Sequence, residues 1–125
     1  MTADNGDAVR AVDDWIKRLE QAMPENGALT EQVLAEAGQL PVVIKPARLE
    51  QGLSERDAMF RRAADRGFAE GFAKSYAKSQ AQFRSDEAWI QYGSLQDQDG
   101  DKTDSSRALA QGTYWGKVAD WVDSL

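Results

Sequence analysis

The chain has 125 residues, 42% of them hydrophobic and 29% charged, with a net charge of −6 and neither cysteine nor histidine. That length suits one domain, and the apolar fraction is enough for a core. The missing residue types exclude disulfides, thiolate chemistry, Cys-ligated zinc, the Ser-His-Asp triad and the usual general base near neutral pH, which weighs against an enzyme.

No apolar run approaches the ~18–20 residues that span a bilayer, so membrane insertion is not expected. The acidic start, Met1 to Asp7, lacks the apolar segment of a secretory leader. Residues 1–6 are expected to be flexible, and the default location is cytoplasmic.

The first predicted helix covers residues 8–23. Val9, Val12, Ile16, Leu19 and Met23 recur at alternating spacings of three and four, which places them on one face. Asp7 suits its N-cap, and Pro24-Glu25-Asn26-Gly27 is a turn signal that stops it. A short second helix follows. Thr30 can cap its start, Val33, Leu34 and Ala37 face inward, and Gly38 suits the position just past its end. Leu40 to Pro46 places a β-branched trio between two prolines, so it reads as an extended connector at 40–46.

The central helix is predicted over about residues 55–84, with Ser54-Glu55-Arg56-Asp57 as a variant capping box. Ser85-Asp86-Glu87 reads as a fresh cap opening a short helix with Trp89 and Ile90 that ends near Gly93. A polar loop at 94–104 precedes a last helix at 105–125, with a break expected at Gly112. Charge is uneven along the chain: residues 1–50 carry −4, residues 51–85 carry +3 and residues 86–125 carry −5. Complementarity between helices of one bundle accounts for this more simply than an anion-binding surface.

The most distinctive stretch is a four-residue unit repeated from Gly67 to Gln82: small, aromatic or Gln, Ala, polar. Ala63, Gly67, Gly71, Ser75 and Ser79 form a small-residue series, and Phe68, Phe72 and Tyr76 an aromatic series beside it. Residues four apart share one side of a helix, so the small series makes a groove that another backbone can approach closely. Each step exceeds one 3.6-residue turn, so the groove winds around the helix by about 40° per unit. Over these residues the array resembles the glycine-repeat helices of flagellar and type III secretion stator proteins; the flanking sequence does not extend the resemblance. A mid-helix glycine costs about 1 kcal/mol relative to alanine, so both glycines call for a compensating contact. An intrachain crossing is the first expectation, with Ala108, Gly112 and Gly116 as the facing groove. An interface with a partner helix or a second copy is the other.

The segments Val12–Leu19 and Val118–Leu125 both fit V-x-D-W-[I/V]-x-x-L, as two amphipathic helices using the same apolar face would. Trp115, Val118, Val122 and Leu125 form the last helix's stripe, with Trp121 beside it. Asp97, Asp99, Asp101 and Asp104 imitate the start of a calcium loop, but Gly100 is misplaced and Ala108 stands where the closing glutamate belongs. They are weak metal candidates, and a solvated turn is the simpler reading. Leu29 to Leu40 has the outline of half a helix-turn-helix, but no recognition helix follows and the chain is acidic, so duplex nucleic acid is not an expected partner.

These elements predict an all-α fold: a single helical domain over 1–125, a compact bundle of four to five helices around the long central one. The function expected is a small non-enzymatic protein-interaction or regulatory module with no cofactor. Its expected interface is Gly67, Phe68, Gly71, Phe72, Ser75, Tyr76, Ser79, Trp115 and Trp121. The partner is a protein, a second copy of the chain included. The alternative is an acidic inhibitor protein of phage or plasmid type that blocks a nucleic-acid-binding site on its partner.

Overall fold

A computed structural model describes residues 3–44, 54–96 and 103–125. It contains α1 (Ala3–Ala22), α2 (Glu31–Ala37), α3 (Glu55–Gln96) and α4 (Thr103–Asp123), and no strand among the described residues. The fold is thus the predicted all-α bundle around one long helix.

α1 starts earlier than its capping signal suggested. Asp7 lies inside the helix and pairs with Arg10 one turn on. Its buried face is Ala8, Val12, Trp15, Ile16 and Leu19, so Trp15 joins the stripe while Val9 and Met23 are only half-buried. The helix ends in the expected turn: the Gly27 N–H donates to the Pro24 carbonyl at 3.0 Å, and the Asn26 side chain accepts from the Ala28 N–H at 3.1 Å.

α2 is held at both ends. The Thr30 hydroxyl accepts from the Val33 N–H at 3.3 Å, and the Gly38 N–H donates to the Leu34 carbonyl at 3.0 Å with Gly38 at φ 81°. Its last carbonyls have no partner within the helix. α1 supplies them: Trp15 Nε1 donates to Gly38 O and Arg18 Nε to Ala37 O, each at 3.0 Å. From there Leu40–Ile44 runs on without regular structure, as the prolines imply; the rest of the predicted connector, Lys45 and Pro46, lies outside the described residues.

α3 is one helix of 42 residues, about 63 Å long at 1.5 Å per residue. The Ser54 hydroxyl caps it, accepting from the Asp57 N–H at 3.3 Å. No new cap forms at Ser85. That side chain is buried and donates to the Gly112 carbonyl of α4 at 2.9 Å, so it joins two helices where the sequence suggested a boundary. The Gln82 amide bonds Asp86 at 3.1 Å across the same point and supports continuous helix. α4 likewise runs through Gly112 without a break.

α4 lies antiparallel on the second half of α3, with Ser85 at Gly112 and Lys78 paired to Asp123 at 3.0 Å. The contact uses Ala73, Ala77, Ala81, Ser85 and Ala88, all buried. Against them α4 places Tyr114, Trp115, Val118 and Val122. α1 closes the core through Val12, Trp15, Ile16 and Leu19. The Tyr114 hydroxyl donates to Leu19 O at 2.6 Å, and the Trp15 and Trp121 rings stack at 6.0 Å. Burial of each large apolar side chain stabilises the fold by about 1.5–3 kcal/mol, so these few residues dominate it.

Candidate binding groove

The four-residue repeat offers α3 two small series, and only one is buried among the described residues. Ala73, Ala77 and Ala81 are fully buried, whereas Gly67, Gly71, Ser75 and Ser79 are exposed. A Cβ built on Gly67 or Gly71 would meet no described residue within 4 Å. The facing groove on α4 has other neighbours. A Cβ on Gly112 would lie 2.8 Å from the Trp89 ring, and one on Gly116 would lie 3.4 Å from Ser85 Oγ. Trp89 is eighteen residues, about 27 Å, along α3 from Gly71. The intrachain meeting of the two glycine pairs therefore does not occur. Alanine lines the buried crossing because it is small without glycine's helix penalty.

Gly67 and Gly71 instead form the floor of an open groove of about 970 Å³ between α3 and α2. Leu34 of α2, Leu40 and Val42 of the connector, and Trp121 and Leu125 at the end of the chain make its apolar walls. Glu31, Glu70 and Lys74 stand at its rim. The geometry follows from the fold. α1 docks α2 against the side of the bundle, and Leu40 and Val42 of the irregular segment that follows line the groove together with α3. Such a site can hold an apolar segment whose backbone comes close to the glycines.

The other expected interface residues divide. Phe68 is 70% exposed and points away from the groove. Phe72 and Tyr76 are half-buried and stack at 6.1 Å, and the Tyr76 hydroxyl donates to Asp13 Oδ1 at 2.8 Å, which ties α3 to α1. Burial, then the bond to Asp13 and its charge, push the Tyr76 hydroxyl above its ordinary pKa. Trp115 is core: it is 4% exposed, lies edge-on to Tyr114 and is covered by the Arg84 guanidinium 5.2 Å above its ring. Trp121 reaches the groove. Sequence reasoning missed Leu34, Leu40 and Val42 as walls, and it missed Met59 and Phe60, each 60% exposed.

No group of three or more acidic side chains that could hold a metal occurs among the described residues. Asp104 sits in the first turn of α4, and Asp97, Asp99 and Asp101 lie outside the described residues. No described helix is long and apolar enough to cross a membrane. No protein-family model matches the sequence, and neither a curated protein nor a solved structure shows significant similarity to it.

Proposed function

We propose that the chain is a small non-enzymatic interaction or regulatory module that docks a protein segment in the groove over Gly67 and Gly71. One observation carries this reading: two mid-helix glycines with no described residue against them line an apolar groove. Both weaken the helix by about 1 kcal/mol, and the packing of the described residues returns nothing for it. A partner backbone seated on them would. The absence of histidine and cysteine, and a groove whose charged lining residues are Glu31, Glu70 and Lys74, support a role without catalysis. The acidic-inhibitor reading has less support, because Asp7, Glu20 and Asp123 form ion pairs within the chain.

A photo-crosslinking amino acid placed at Val42, on the groove wall, tests this in cells. The same probe at Glu87, on the exposed far half of α3, is the control. Protein adducts from Val42 that Gly71→Leu abolishes are expected. No adduct from Val42, or equal adducts from both positions, overturns the reading.

A further inference from the structure

We infer that the segment in the groove is the first part of α3 from a second copy of this chain, crossing antiparallel so that each copy fills the other's groove. The inference rests on the docking reading above. Its starting point is the uncovered length of α3. Over residues 55–72 only Ala58 is buried, and Met59, Phe60 and Phe68 are 60–70% exposed. At 100° per residue, Phe60, Ala64, Gly67 and Gly71 fall within an arc of about 60°, so they form one stripe.

That stripe is complementary to itself in one direction only. In an antiparallel pair with its two-fold axis between Asp65 and Arg66, Phe60 of one copy lies opposite Gly71 of the other, and Ala64 lies opposite Gly67. The bulky residue of the stripe, Phe60, then meets a missing side chain. A parallel pair would stack Phe60 on Phe60 and leave a void between glycines. The groove completes the match. Gly71 is on its floor, so Phe60 of the second copy enters between Leu34, Val42 and Trp121, and the two-fold axis repeats the insertion on the other side.

Local charge and the apolar surface covered agree with this. The whole chain is acidic, but residues 55–74 carry five basic and four acidic side chains, so two copies can approach there without strong repulsion. Phe60, 60% exposed, is the large apolar side chain of the stripe, and it is covered on both copies. The apolar groove walls, Leu34, Leu40, Val42, Trp121 and Leu125, are covered with it.

Light scattering over a concentration series reads the result. The wild-type chain is expected to pass from 13.8 kDa to twice that mass. Gly71→Leu is expected to stay monomeric to the highest concentration with an undiminished thermal midpoint, because a Cβ there meets no described residue within 4 Å and the rest of the side chain has the groove to occupy. The exchange Phe60→Ala with Gly71→Phe is expected to restore the doubled mass. A monomer at every concentration, or a dimer that Gly71→Leu leaves intact, overturns the inference; an exchange variant that stays monomeric overturns the antiparallel register. The Val42 crosslink separates this from the reading beneath it. An adduct of twice the chain's mass supports the second copy. An adduct of another mass removes the second copy and leaves the docking site standing, and no adduct removes both.

Discussion

Replacing Gly27 with alanine tests how the α1–α2 turn meets α4. Gly27 is buried at φ +70°, and a Cβ there would lie 2.3 Å from the carbonyl oxygen of Ala110 and 2.8 Å from its carbon. These are backbone atoms, so no side chain can swing aside. Left-handed backbone costs a residue with a Cβ about 1–2 kcal/mol, and forced overpacking adds about 1–3 kcal/mol. The expected loss is therefore about 2–5 kcal/mol, a large part of the ~5–15 kcal/mol that holds a domain together. Unfolding entropy near 2.1 cal/mol/K per residue converts this to a melting point lowered by about 8–20 °C for a chain of 125 residues. Urea unfolding at low protein concentration, followed by far-UV circular dichroism and tryptophan fluorescence, measures it. Gly71→Ala is the reference in the same assay. Its new methyl meets no described residue within 4 Å, so it should stabilise the monomer by up to about 1 kcal/mol. A Gly27→Ala protein within about 1 kcal/mol of wild type would show that the turn is not wedged against α4.

Two further substitutions read other contacts. Gly112→Ala should destabilise by about 1 kcal/mol, since the helix-propensity gain is outweighed by a methyl 2.8 Å from the Trp89 ring, whereas Gly116→Ala should be neutral or stabilising; equal effects at the two positions in urea unfolding would contradict that packing. The Tyr114 hydroxyl is pushed up to about 12 by burial. Its folded pKa is above the unfolded value near 10, so its contribution is complete below pH 10 and falls away between about pH 10 and 12 as the unfolded state ionises first. Denaturation midpoints across that window should decline less steeply in Tyr114→Phe than in wild type, and parallel declines would place the ionising group elsewhere.

What was legible in the sequence was the local chemistry. Thr30, Gly38, Ser54 and the Pro24–Gly27 turn all act where their side chains or backbone preferences say they should. Ser85 misled because a serine followed by two acids has the chemistry of a cap, yet a serine hydroxyl can equally bond a carbonyl of the helix packed against it. Which residue receives that hydroxyl is decided by α4, at a separation of 27 residues. The groove was half legible for a similar reason. Gly67 and Gly71 stand out at four-residue spacing, but their walls come from α2 and the connector, and only the way α1 docks α2 brings Leu34 and Val42 over them.

The repeat itself explains why the wrong series looked buried. Each unit carries two small positions, Gly or Ser first and Ala third, two residues and therefore about 200° apart on the helix. They lie on opposite sides, and a single neighbouring helix can cover only one. Glycine's stronger departure from helix chemistry draws attention to its series, yet a helix packed within its own chain has no need of glycine where alanine already allows close approach. The alanine series, at no propensity cost, holds α4. Gly67 and Gly71, at about 1 kcal/mol each, are exposed on the other side and meet no described residue there. If the proposed docking holds, α3 carries its own fold on one side and a partner contact on the other. Helix-strengthening substitutions at Gly67 and Gly71 should then separate the two, preserving the fold while removing the partner.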